Sequence, residues 1–157
     1  MQSKKMFPLF IDLSEKQAVV IGGGNIAERR IKTLTSFTKN IKVIAPKVTP
    51  VIEKLNEENK INWIKKEFSE NDIIGADLVM AITDNHEVNH KIYEECKKRN
   101  ILISNAGDVN ECEFHFPGVI CHDDIVIGFN GGGYNHRKTR IAREKIEEFL
   151  KNTDLND

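Results

Sequence analysis

The sequence predicts an α/β protein, an open doubly wound parallel sheet followed by a small C-terminal hairpin-plus-helix appendage. Three observations carry this expectation. Five short β-type runs recur along the first two thirds of the chain: "QAVVI" (17–21), "IKVIA" (41–45), "INWI" (61–64), "DLVMAI" (77–82) and "ILISN" (101–105). Most are separated by stretches with helical spacing, and that alternation reads as βαβ units building a parallel sheet. From Gly118 the rhythm changes: "GVICHDDIVIGF" holds two β-type runs about an Asp123-Asp124 turn, and "HRKTRIAREKIEEFLK" reads as a helix with a basic start. The division expected is a main domain at 1–114 and an appendage at 115–157, the latter suited to dimerisation.

Composition agrees with one main domain. The chain has 157 residues, of which 39% are hydrophobic, enough for one real core and too few for two full domains. Its net charge of −1, from 23 Lys and Arg against 24 Asp and Glu, gives no global field to recruit nucleic acid or an anionic membrane. The start, "MQSKKMFPLFIDL", lacks a signal-peptide h-region and cleavage site, and no stretch approaches a membrane span, so the expected location is cytoplasmic. Cys96, Cys112 and Cys121 are odd in number and form no CxxC pair, which argues for reduced structural thiols over a disulfide framework or thiolate zinc site.

After the first apolar run comes "GGGNIAERRIKTLTSF", whose Ile26, Ile31, Leu34 and Phe37 lie roughly on one helical face. Gly22, Gly23, Gly24, Asn25, Ile26 and Ala27 spell GxGxxA between a strand and a helix, inside a βαβ unit that ends at Ala45. This is the Rossmann-type dinucleotide turn. Gly22 makes the tight turn, Gly24 lets a pyrophosphate approach the backbone, and Ala27 permits close helix–sheet packing, with the phosphates at the helix N-terminus. The second strand's end, Ala45-Pro46-Lys47, would border the same cofactor. It offers no Asp or Glu for a ribose 2′-hydroxyl, and Lys47 could favour a 2′-phosphate instead. After the fourth run, Thr83 or Asp84 is placed to cap the next helix or meet the cofactor.

Two further stretches carry chemistry-bearing residues. "HEVNH", His86 to His90, matches the H-E-x-x-H zinc pattern, in which Glu87 would be the general base. It opens the helix after the fourth strand of a nucleotide-binding fold and has no third ligand at the expected spacing, so no metal is assigned. The bland alternative makes His86 and His90 solvated or half-buried helix residues. "ILISNAGDVNECEFHFPG", Ile101 to Gly118, leaves the carboxyl end of the fifth strand, where open α/β sheets bind ligands. Asp108 is the candidate acid there; its alternative role is a turn aspartate bonding its own loop. Glu111 and Glu113 are weaker candidates, and His115 alternates with aromatics in a strand-like run.

Taken in order, "FPLFIDLSEKQAVVIGGGNIAERRIKTL", "VIAP", "ADLVMAITDNHEVN", "NAGDVNECEFHFPG" and a Gly-Gly turn into a basic helix resemble the precorrin-2 dehydrogenase family, which includes the amino-terminal part of siroheme synthases. The likeness runs from about residue 6 to 150. It implies oxidation of precorrin-2 to sirohydrochlorin with NAD as hydride acceptor, and a homodimer whose tail segments contribute to the active site. Some members also insert iron or cobalt into the product. The family's Asn-x-x-Asp falls on Asn105 to Asp108, which implies a catalytic Asp108 and places Asn105 at the substrate. Arg137, Lys138, Arg140 and Arg143 would form a cationic rim for the substrate carboxylates, against the alternative of a solvated face balanced by Glu144, Glu147 and Glu148.

Departures from the family are local. Val109-Asn110 stands where a Pro is usual, and the loop is one residue shorter. Gly131-Gly132-Gly133-Tyr134-Asn135-His136 replaces a serine-rich turn, with Asn135 at the serine position, and the chain ends where longer relatives continue into a helical tail domain. Two alternatives of other classes remain: a module that senses NAD(H) without chemistry, and a zinc hydrolase built on HEVNH.

Overall fold

The architecture comes from a computed structural model that describes residues 6–132 and 135–153. Two compact units divide the chain: Ile11–Phe114, and a second formed by the segment up to Phe10 with the chain from His115 onward. Met6–Phe10 therefore group with the appendage, whereas the expected division puts them in the main domain.

The first unit runs β1 (Ala18–Ile21), α1 (Asn25–Leu34), β2 (Ile41–Ile44), α2 (Pro50–Glu57), β3 (Asn62–Ile64), β4 (Leu78–Ala81), α3 (His86–Arg99) and β5 (Leu102–Asn105). All five strands pair in parallel in the order β3-β2-β1-β4-β5. Each of the five apolar runs became a strand. They did so because helices leave the inner strands little contact with water: every residue of β1 and β4 is buried. Val19, Ile21, Ile44, Ile73, Val79, Ala81, Ile92, Cys96, Ile101 and Ile103 pack into one apolar cluster. Burying an isoleucine or valine in this way contributes about 1.5–3 kcal/mol.

Between β3 and β4 the crossover is a single 3₁₀ turn, Glu70–Ile73, held by reciprocal Ser69–Asp72 hydrogen bonds. Helix α2 starts at Pro50, with the Thr49 hydroxyl accepting from the Ile52 N–H at 3.4 Å. The buried stripe of α1 is Ala27, Ile31 and Leu34. Ile26 is 46% exposed and Phe37 lies past the helix end, so two of the four residues assigned to that face do not belong to it. Ile26 lies about 100° round the helix from its neighbour Ala27, off the buried stripe.

In the second unit β6 (Gly118–His122) pairs antiparallel with β7 (Ile125–Phe129), closing at His122 opposite Ile125. The hairpin turn on Asp123-Asp124 is present, with Asp123 at φ +52°, a conformation Asp tolerates. The last helix, α4 (His136–Lys151), covers the predicted segment. Gly133 and Tyr134 of the glycine turn lie outside the described residues.

Candidate nucleotide site and the Asp108 loop

The change of direction in the strand order falls between β1 and β4, and in open α/β sheets this switch point receives the ligand at the carboxyl edge. The three glycines leave β1 there, and each meets a different constraint. Gly22 has φ +124°, and a Cβ on it would run into the Ile82 carbonyl at the end of β4. A Cβ on Gly23 would strike the Lys47 carbonyl and lie 2.8 Å from Val48 Cγ1. The Gly23 carbonyl also accepts from the Thr49 N–H at 3.0 Å, tying the turn to the loop after β2. Gly24 differs: a Cβ there would meet nothing within 4 Å.

Gly24 is the N-cap of α1, in extended conformation and without a side-chain cap. Open space thus lies over a helix N-terminus whose first N–H groups point outward, a cradle fitted to a pyrophosphate. Two glycines shape the turn and the third leaves room beside it. Asn25 and Ile26 supply the first turn of the helix, and Ala27, fully buried, lets α1 approach the sheet. Ala45 is buried and its carbonyl accepts from the Trp63 indole at 2.9 Å, while Pro46 and Lys47 are exposed.

After β4 the residue capping α3 is neither Thr83 nor Asp84. Asn85 caps it, its Oδ1 accepting from the N–H groups of Glu87 (2.9 Å) and Val88 (3.2 Å). Thr83 is spent on structure instead. Its hydroxyl donates to Asn89 Oδ1 at 2.7 Å and accepts from the Asn85 N–H at 3.2 Å, and its carbonyl accepts from Asn89 Nδ2 at 3.0 Å. Asp84 is exposed.

Beyond β5 the chain makes a tight loop. Asn105, which the resemblance puts at the substrate, is 4% exposed, and both ends of its amide are engaged within the loop. Oδ1 accepts from the Gly107 N–H at 2.8 Å and Nδ2 donates to Glu111 Oε2 at 2.7 Å. Its side chain shapes the loop. Cys112 closes it, Sγ accepting from the Asn105 N–H at 3.2 Å and donating to the Asn105 carbonyl at 3.1 Å. Burial pushes the Cys112 thiol up, against the lowering effect of its hydrogen bond to Asn105. Asp108 stands exposed at the head of the 3₁₀ turn Val109–Glu111, with Oδ1 accepting from the Asn110 N–H at 2.8 Å and from Asn110 Nδ2 at 3.1 Å. The alternative role, bonding its own turn, is one that Asp108 does fill. β1 and β5 flank β4, so the glycine turn and this loop leave the sheet two strand spacings apart, about 10 Å.

The histidines of HEVNH face this loop. His90 Nδ1 is 2.5 Å from Glu111 Oε1, a contact that raises the imidazole above its ordinary pKa. Among the described residues no group of three or more His, Cys, Asp or Glu could hold a metal ion. Glu113 pairs with Lys97 at 2.7 Å. The pairing of His90 with Glu111 is not legible in the sequence, because 21 positions separate them and it is the pairing of β5 with β4 that brings α3 beside the loop.

Arg137, Lys138, Arg140 and Arg143 all lie on α4 in the second unit. Arg140 lies 3.7 Å from Glu144 and Arg143 3.1 Å from Glu147, the i,i+4 pairs of the solvated-face alternative. Arg137 and Lys138 are exposed.

Residues 9–118 match the protein family described as "Putative NAD(P)-binding". The chain belongs to this family. Among curated proteins it is 39% identical over 149 residues to the "Probable multifunctional siroheme biosynthesis protein HemA" of Ruminiclostridium josui, covering 94% of this chain and 29% of that protein. It is 32% identical over 143 residues to a siroheme synthase of Actinobacillus pleuropneumoniae serotype 3 (strain JL03), covering 91% and 29%. The chain thus spans about three tenths of these relatives. A solved structure titled "SirC, precorrin-2 dehydrogenase" superposes with a TM-score of 0.80 at 23% identity, covering 95% of this chain and 71% of that one, and shares its fold. No helix among the described residues is long and apolar enough to cross a membrane.

Proposed function

We propose that this chain is an NAD-dependent precorrin-2 dehydrogenase, oxidising precorrin-2 to sirohydrochlorin in sirohaem synthesis. The observation that carries the reading is the open cradle at Gly24, on the sheet edge from which the Asp108 loop also emerges. The family match and the relatives' names support it. When bound, the nicotinamide supplies the hydride acceptor. Gly24 and the N–H groups of α1 hold the pyrophosphate, while Pro46 and Lys47 border the adenosine end. Loss of a hydride from precorrin-2 leaves one proton to remove, and the Asp108 carboxylate accepts it. Arg137, Lys138 and Arg140 bind the substrate's carboxylates by bidentate or point-charge contacts.

The protein acts as a homodimer. Ile141, Ile146 and Phe149 on α4, and Ile125 and Val126 on opposite faces of β7, are exposed apolar side chains that a second copy would cover.

Asp108→Asn tests the mechanism, since Asn keeps the turn's acceptor oxygen but removes the carboxylate. Turnover falls by about a hundredfold or more with NAD affinity unchanged. One observation favours a second reading, an NAD(H)-sensing module without chemistry: the Asp108 carboxylate already serves its own turn. Full turnover by Asp108→Asn contradicts the proton-transfer role, and absence of turnover by the native protein supports the sensing module.

A further inference from the structure

We infer that the HEVNH face of α3 is the seat of the Asp108 loop, and that Glu111, clamped by His90, is a positioning residue for Asp108. This rests on the reading of Asp108 as the proton acceptor. A continuous chain of contacts carries the inference. The Glu111 carboxylate bridges two partners, with His90 Nδ1 2.5 Å from Oε1 and Asn105 Nδ2 donating to Oε2 at 2.7 Å. Asn105 Oδ1 in turn accepts from the Gly107 N–H at 2.8 Å, and the next residue is Asp108. The Glu111 N–H closes the loop on the Asp108 carbonyl at 3.2 Å.

The same helix face sets how close the loop can come. A Cβ on Gly107 would lie 3.0 Å from His86 Nδ1 and 3.3 Å from Asn89 Nδ2. His86, Asn89 and His90, at i, i+3 and i+4, thus form one platform. Asn89 is 2% exposed and fixes the β4–α3 turn through Thr83, so the platform is rigid. The spacing that suggests a zinc site holds a loop instead.

Charge makes the clamp sensitive to pH. Glu111 and Asp108 from the loop and Glu94 from α3, 3.9 Å from Nε2, all favour the charged imidazole, and the Tyr93 ring lies 6.3 Å away. His90 holds Glu111 most strongly while protonated. The clamp is therefore complete below the ordinary histidine range and weakens as pH rises through the raised pKa of His90.

The test compares Glu111→Ala, Glu111→Gln, His90→Gln and Asp108→Asn in precorrin-2 oxidation with NAD from pH 6 to 9. It adds NAD affinity, thermal unfolding, and the His90 ring titration by NMR. In folded Glu111→Ala, kcat falls about tenfold or more with NAD affinity unchanged, because a small displacement of the acceptor suffices. Glu111→Gln, which keeps an acceptor for Asn105, recovers part of kcat. Both bring the His90 titration down, and His90→Gln removes an alkaline fall in kcat that wild type shows. If Asp108→Asn is crippled while folded Glu111→Ala and Glu111→Gln turn over within twofold of wild type, the positioning role is overturned and the catalytic one stands. If Asp108→Asn turns over like wild type, the catalytic assignment falls and this inference with it.

Discussion

Replacing Gly24 with valine separates the ligand's demands from those of the fold. Gly24 has φ −83° and ψ −170°, a conformation open to any residue, and its Cβ would meet no protein atom within 4 Å. Valine is a poorer N-cap than glycine by about 1 kcal/mol, while the stiffer unfolded chain returns about 0.4–1 kcal/mol. The melting temperature therefore moves by a few degrees at most. The new side chain fills the space at the N-terminus of α1. It holds a pyrophosphate off at least one N–H, and a hydrogen bond to a charged group contributes about 1.5–3 kcal/mol. NAD affinity then falls by about ten- to a hundredfold. Trp63, the sole tryptophan, is bonded to the Ala45 carbonyl at the end of β2, so its fluorescence is a convenient binding signal. Gly22→Ala is the control: with φ +124° and the Ile82 carbonyl in the way, it destabilises the fold itself. Full NAD affinity in a folded Gly24→Val protein refutes the cradle.

Other expectations follow from individual contacts. His86→Ala costs little stability and elemental analysis finds no zinc retained after dialysis; activity lost on chelation and restored by zinc would revive the hydrolase alternative. The Glu95 carboxyl is held down to about 2 by Lys98 and Arg99, so its contribution to stability is complete above the ordinary glutamate range and is lost as pH falls towards 2. Thermal melts of Glu95→Gln should accordingly differ from wild type at pH 7 and converge with it near pH 2. Burial pushes the Cys96 thiol up to about 12 and leaves it without surface, whereas Cys121 is exposed. Native alkylation followed by mass spectrometry should label Cys121 and spare Cys96.

Much of this fold is legible in the sequence because a parallel sheet covered by helices demands apolar strands, and each apolar run is a strand. Residues whose role is set by neighbours distant in sequence are harder to read. "TDN" offers three capping side chains in a row, and periodicity alone does not choose Asn85 over Thr83 or Asp84. Ile26 and Ala27 are both apolar and adjacent, and it is Ala27 that falls in phase with Ile31 and Leu34 on the sheet-facing stripe, which leaves Ile26 exposed. The glycine motif is readable at Gly22 and Gly24 because each answers a local demand, a positive φ in one case and open space in the other. Asn105 is found by its motif, yet its burial and its bonds to Gly107 and Glu111 make it a scaffold of the loop.

The central claim is tested most directly by adding precorrin-2 to the purified protein with NAD and, separately, NADP, and following the absorption spectrum anaerobically. The account predicts conversion to the sirohydrochlorin spectrum with stoichiometric reduction of NAD, and loss of that conversion in Gly24→Val at limiting NAD. A protein that binds NAD tightly but leaves the precorrin-2 spectrum unchanged with either nucleotide contradicts it.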